Sequence, residues 1–387
     1  MRGDYLLILI TCMALLCASW FLMRMRAEPA PIPTTSHGGR SIATSTSEIS
    51  TSIQTASAAS STKAPTARAT NLKVFRSIPY WDQPRAIAMF KKHVDVFDVI
   101  SVFWYRLNEE GGIVKYDYAK EDTSLIEFAH ENDVQVLALI ANLPEEDDWD
   151  PNLVGNVIGD EESRAAHIAD IRTLVKKKNF DGVNIDYEFL RNRQQEDYTA
   201  FIAELGEALR ADGKILAIAI HAQTPGSATR GQDMFALQEY VDILSFMTYD
   251  EHWETGEPGP PASLPWVRAV LGHARSLGVD MQKIFMGIPL YGYDWPKQGG
   301  GWGDATGREY EEIVKIAHEY DVDVQFDEAA QTPFFFYEKG GVEHEVWFEN
   351  VESFAPRIDL AEEFGVAGVM FWRQGREDER IYEVLGE

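Results

Sequence analysis

The sequence predicts an α/β protein, a (β/α)8 TIM barrel with a small α+β insertion between the seventh and eighth strands. Eight short β-rich runs follow one another after Asn71. Amphipathic stretches separate most of them, and such alternation builds right-handed βαβ units around a parallel sheet. No GxGxxG follows an early run, which argues against an open dinucleotide-binding sheet and for a closed one. The 387-residue chain is long enough for such a barrel, and a hydrophobic content of 45% supplies its core.

Ahead of the barrel, residues 5–23 form an apolar run with Arg2 before it and Arg24 and Arg26 after it. A cleaved signal has a shorter apolar region of about 7–15 residues and small residues at the cut. The run is long enough to span a bilayer. Residues 1–26 are therefore expected to be an uncleaved signal anchor, with a removed signal peptide as the alternative. Residues 27–71 are rich in Ser, Thr, Ala and Pro, as in "SIATSTSEISTSIQTASAASSTKAPTARAT", and read as a solvated linker. An anchor followed by a tether places the domain over 72–387 outside the cytoplasm, held to the membrane by the N-terminal helix only. Secretion after cleavage is the alternative.

The formal net charge is −27, and it resides entirely after Asn71, because the earlier segment carries a slight basic excess. A surface that acidic repels phosphate backbones, so no nucleic-acid partner is expected. Cys12 and Cys17 both lie in the apolar run. The folded part thus has no disulfide framework, no thiolate metal site and no cysteine nucleophile. The nine histidines show neither HxH nor HExxH spacing, so neither a metal nor another cofactor is expected.

The runs follow in order. "FRSIPYW" ends in Tyr80 and Trp81, a run near 94–105 that ends in "VISVFWY" comes next, and "VQVLALIAN" follows it. "FDGVNIDYE" over 180–188 is the fourth, after the lysines at 176–178, which read as a solvated helix end on the barrel's lower side. A helix over 196–213 follows, with Phe201, Leu205 and Leu209 on one face and Gly213 suited to its end. Then come "ILAIAIHAQ", "VDILSFMTYD", "KIFMGIPLYGYDW" and "VAGVMFWRQG". The interval before the last run is too long for one helix. Residues 298–347 are expected to form the insertion, a helix over 310–320 and then short aromatic strands.

The fourth run carries the chemistry. Successive strand side chains point to opposite faces, so Val183, Ile185 and Tyr187 face the outer helices while Asn184, Asp186 and Glu188 face the interior. They climb to the strand's C-terminal end, where barrels of this class hold their active sites. A charge buried there without purpose costs several kcal/mol. Tyr80 and Trp81 are candidates for the cleft wall. Trp104, Trp149, Trp253, Trp295 and Trp302 fall in loops where a sugar could stack or a rim be filled. His252 is placed near the site but reads as structural.

"DGVNIDYE" resembles the DGxDxDxE signature of glycoside hydrolase family 18, the chitinase-type glycosidases. "FMTYDEHW" resembles the family's sixth strand, "GIPLYGYDW" its seventh and "VAGVMFWRQG" its eighth. "TPFFFYEKGGVEHEVWFEN" is similar to the late segment of the spore-cortex-lytic, germination-type branch. The likeness covers about 72–387. It implies Glu188 as the general acid, Asp186 as the group that holds the substrate's acetamido N–H, and Tyr249 as a donor to the acetamido carbonyl. It implies a substrate-binding set of Asp181, Asn184, Asp250, Trp372 and Tyr80. In that set Trp372 is the floor under the sugar and Asp181 has a structural hydrogen-bonding role. Asn184 departs from the commoner Asp. Its amide can donate to Asp186, and it removes a like charge. The implied partner is an N-acetylglucosamine-containing polysaccharide, peptidoglycan strands ahead of chitin-like oligomers, cleaved with retention. A non-hydrolytic lectin on the same barrel is the alternative.

Overall fold

The structure is a computed structural model that describes residues 71–386 apart from 146, 147 and 374. The anchor over 1–26 and the linker that follows it lie outside the described residues. Among the described residues no helix is long and apolar enough to cross a membrane.

The strands run in chain order as β1 (Lys73–Pro79), β2 (Val99–Leu107), β3 (Ile113–Lys115), β4 (Gln135–Ala141) and β5 (Gly182–Asp186). After them come β6 (Ile215–His221), β7 (Ile243–Met247), β8 (Ile284–Pro289), β9 (Tyr291–Gln298) and β10 (Gly301–Trp302). The last are β11 (Thr306–Glu309), β12 (Gln325–Asp327), β13 (Thr332–Lys339), β14 (Val342–Phe348) and β15 (Gly368–Trp372). β1, β2, β4, β5, β6, β7, β8 and β15 pair side by side in parallel, and β1 pairs with both β2 and β15. The ring therefore closes, and the expected (β/α)8 TIM barrel is the fold.

Alternation along each strand builds two layers. Val183 and Ile185 point outward into the helix-covered core, where Phe201, Leu205 and Leu209 of the helix Gln195–Ala211 are also buried. Gly213, at φ 66°, turns the chain out of that helix. Inside the barrel, Phe75, Val99, Leu137, Ala217, Ile243, Phe285 and Met370 form an apolar plug. Each of the larger members stabilises the fold by about 1.5–3 kcal/mol through burial. β5 brings Gly182 alongside Leu137 and Ile215, where a Cβ would stand only 2.0 Å from the Ile215 carbonyl oxygen. That close approach requires glycine. Further up the barrel the lining turns polar: the Ser77 and Ser101 hydroxyls hydrogen-bond at 2.9 Å.

The insertion starts one strand earlier than 298. The run over 283–295 reads as a single strand, but it divides at Leu290: β8 ends at Pro289, and β9 leaves the barrel to pair antiparallel with β14. Nothing in the apolar texture of "IPLYGYDW" marks that break, so a local reading joins the two. The insertion sheet runs β10-β9-β14-β13-β12, with β11 on β9 and the helix Tyr310–Glu319 packed through Ile313 and Ala317.

Arg357, fully buried on the helix Val351–Phe364, ties the insertion to the barrel. Its guanidinium pairs with Glu349 at 2.8 Å and donates to the carbonyls of Ala262 and Gln331 and to the Thr332 hydroxyl. Burial pushes the Glu349 carboxyl up to about 7 against the pull of Arg357. Removing the guanidinium would strand that carboxylate, which costs about 3–5 kcal/mol. Arg357→Leu is accordingly expected to lower the urea midpoint strongly at pH 8. The loss should shrink below pH 6, where Glu349 can take up a proton, and denaturation at the two pH values measures both.

Candidate active site

Glu188 follows β5 by two residues and is held by its backbone. Its N–H donates to Asn142 Oδ1 at 2.8 Å and its carbonyl accepts from Asn142 Nδ2 at 3.1 Å. Asn142, fully buried, sits just past β4. The next residue, Phe189, takes φ 54°, and its N–H donates to His221 Nε2 at 3.2 Å. A left-handed turn at a bulky residue is uncommon and costs on the order of 1 kcal/mol. The turn and the amide clamp together aim the Glu188 side chain into the barrel mouth. Loss of the clamp in Asn142→Ala is expected to cost about 1–3 kcal/mol of stability, read by thermal melting.

The mouth is a cleft of about 740 Å³. Of the expected residues it gathers Asn184, Asp186, Glu188, Tyr249, Asp250 and Trp372. Burial first, and then the charges of Asp186 and Asp250, drive the Glu188 carboxyl well above its ordinary range, while Arg230 pulls the other way. Burial pushes Asp186 up to about 7. Two carboxyls in one desolvated cleft resist being ionised together. Asp186 Oδ1 and Asn184 Oδ1 are buried with no hydrogen-bond partner among the described residues. Acceptors left in that state take a donor from water or from a ligand.

Tyr249 is raised well above its ordinary value, by burial first and then by Asp186, Glu188 and Asp250. It therefore keeps its proton and can donate it. Its ring fits because position 287 is glycine: a Cβ there would lie 2.8 Å from the ring. Asp250 takes φ 58°, a second left-handed turn directly after a site residue. Its carboxylate accepts from the hydroxyls of Tyr291 and Tyr293 on β9, so the insertion secures this side of the cleft.

Two expected site residues lie elsewhere. Asp181 precedes β5, at the end of the barrel opposite the cleft. It accepts from the Val136 N–H at 2.8 Å and pairs with His130 Nε2 at 2.8 Å. Its contacts are structural, as the motif's first position suggested, and it does not line the cleft. Tyr80 is also absent from the cleft lining. It has the opposite strand parity to Ser77, which does line the cleft, and it stacks on Tyr116 at 4.1 Å. Its neighbour Trp81 meets Trp372 edge-on at 6.1 Å, so this aromatic group backs the floor.

The tryptophans divide the same way. Trp149 and Trp253 line the cleft, whereas Trp104 and Trp295 are buried in cores and Trp302 lies under Lys297 in the insertion. His252 is structural, with Nδ1 2.9 Å from the Glu257 carbonyl. Local reading missed Asn142, His221, Arg230, Trp266 and Tyr293. All but Asn142 line the cleft; they come from the end of β6, a loop, the helix Leu264–Ser276 and β9, so no shared sequence signal marks them.

A model of glycosyl hydrolases family 18 matches residues 80–377. The chain is 30% identical over 279 residues to the putative sporulation-specific glycosylase YdhD of Bacillus subtilis, a match spanning 71% of this chain and 65% of that one. It is 28% identical over 285 residues to the cortical fragment-lytic enzyme of Bacillus subtilis, with 71% of this chain and 64% of the relative covered. The chain thus spans just under two thirds of the length of these two relatives. The fold superposes on the spore cortex-lytic enzyme SleL of Bacillus megaterium with a TM-score of 0.73 at 25% identity, covering 82% of this chain and 74% of that one.

Proposed function

Since the chain belongs to glycosyl hydrolases family 18, we propose that it is a glycosidase that cleaves β-linked N-acetylglucosamine glycans with retention. The observation that carries this reading is the pair of largely buried carboxyls, Glu188 and Asp186, in one cleft bounded by Trp372, with Asp186 Oδ1 unpartnered among the described residues.

Glu188 gives its proton to the glycosidic oxygen as the bond to C1 breaks. The substrate's acetamido oxygen bonds to C1 in place of a second carboxylate. Asp186 accepts from the acetamido N–H and so turns that oxygen towards C1. Tyr249 donates its hydroxyl to the same oxygen as the ring closes. Glu188, now ionised, takes a proton from water, which attacks C1 and reopens the ring. Two inversions give net retention. Asn184 leaves Asp186 with a neutral neighbour, which eases its ionisation.

Peptidoglycan strands are the favoured substrate, supported by the sporulation and cortex-lytic names of the relatives. Placement outside the cytoplasm, through the apolar run and linker, rests on the sequence alone. Incubating the domain with chitin oligomers and with purified peptidoglycan, and identifying products by mass spectrometry, tests the reading. Absence of product from both would defeat it. Tyr249→Phe is expected to lower kcat about 10²-fold with KM little changed, as for loss of one oxyanion donor. Steady-state kinetics on the better substrate measures it.

A further inference from the structure

Among the residues that line the cleft, Asp186, Glu188, Asp250, Glu251 and Glu254 are acidic, and Arg230 is the one Lys or Arg. An anionic glycan entering so acidic a cleft would otherwise meet only repulsion. Arg230 is exposed, and among the described residues it forms no ion pair or hydrogen bond with a carboxylate, although its charge is felt at Glu188. Its guanidinium lies 5.1 Å from the centre of the Phe189 ring, with Nη1 3.4 Å from His221 Nδ1.

The loop that carries it is built rather than loose. Arg230 takes φ 49° and Gly231 φ 72°, and a Cβ at Gly231 would stand 2.8 Å from Leu190 Cβ. The next side chain, Gln232, is fully buried. It accepts from the His221 N–H at 2.9 Å and donates to the Ala219 carbonyl at 2.9 Å. Strain of this kind persists where the surroundings over-determine it. Here the result is a fixed backbone position from which the Arg230 side chain reaches the cleft. His221 spans the distance to the acid: its Nε2 lies 3.5 Å from Glu188 Oε2. The cation therefore stands one imidazole away from the proton donor.

We propose that Arg230 selects glycans bearing a carboxylate next to the cleaved linkage, gripping it with the planar fork that suits that group. This rests on the glycosidase reading above and names the substrate class within it. Two sources share the chemistry: the lactyl ether of a muramyl sugar, and the acidic groups of a stem peptide attached to it.

The test compares three substrates for the wild-type domain and for Arg230→Gln and Arg230→Lys. The substrates are peptide-bearing strands, peptide-free strands with free lactyl carboxylates, and peptide-free strands methyl-esterified at that position. Wild type is expected to favour a carboxylate-bearing strand over the ester by about tenfold in kcat/KM, as a charge-assisted pair implies. Which of the two strands is favoured identifies the source. Arg230→Gln should erase the preference, mainly through KM, and Arg230→Lys should restore part of it. Equal losses on free and esterified strands would overturn the proposal and leave Arg230 acting only on Glu188. No hydrolysis of any strand by wild type would instead defeat the glycosidase reading, so the two failures are separable.

Discussion

Glu188→Gln is expected to abolish hydrolysis, with a fall in kcat of at least about 10³ and no loss of folded structure. The amide keeps the shape of the acid but cannot release a proton, and general acid catalysis alone contributes about 10²–10⁴. In the proposed cycle Glu188 serves twice, as acid and then as base, so both steps should be lost together. The fold should not suffer, since the clamp from Asn142 holds the backbone of residue 188 and leaves the side chain free of that task. The buried carboxyl is itself a burden when ionised. Kinetics on peptidoglycan or chitin oligomers, with circular dichroism of the same sample, separate the two effects. Retained turnover would move the acid to another residue.

Asp186→Asn is expected to act in opposite directions on stability and rate. The folded carboxyl is pushed up to about 7 by burial, against an ordinary value of about 3.9 in the unfolded chain. A raised carboxyl binds more protons in the folded state, so the wild type loses stability as the pH climbs from about 4 to about 7. Asparagine removes that loss. The variant should therefore be the more stable form above pH 7, by on the order of 2–4 kcal/mol, and the gap should close below about pH 4. Turnover should fall about 10²-fold, because an amide is a poorer acceptor for the acetamido N–H. The alkaline limb of the rate profile should also move to lower pH, since the Asp186 charge helps hold the Glu188 proton. Paired melts at pH 4 and pH 8 with a pH–rate series measure all three. A variant less stable at both pH values would show that Asp186 holds the fold together rather than burdening it.

The barrel and its reactive strand were legible because two periodicities speak locally. Strand–helix alternation announces the eight units. Within β5, the alternation of Val183 and Ile185 with Asn184 and Asp186 sets their faces without any tertiary knowledge. Tyr249, Asp250 and Trp372 were legible only through resemblance, since nothing in the residue pattern brings the ends of β7 and β15 to that of β5. What stayed hidden depends on tertiary packing. The division at Leu290 is invisible because the aromatic start of β9 continues the apolar run of β8, yet it sends Tyr291 and Tyr293 across to Asp250. Trp104 and Trp149 look alike as loop-edge tryptophans, and only the closed ring buries one and opens the other to the cleft. Asp181 was misplaced in the substrate set because a motif groups residues by spacing, whereas the strand puts its first member at the far end of the barrel.

The protonation state of Glu188 in the free domain tests the account most directly. With ¹³C-labelled glutamate side chains, and the signal assigned by its disappearance in Glu188→Gln, a carboxyl titration by NMR reads that proton. The expected result is a Glu188 resonance that titrates well above the ordinary glutamate range, and at lower pH in Asp186→Asn. A resonance already ionised at pH 5 would contradict the account, for the cleft would then hold no acid to give the glycosidic oxygen.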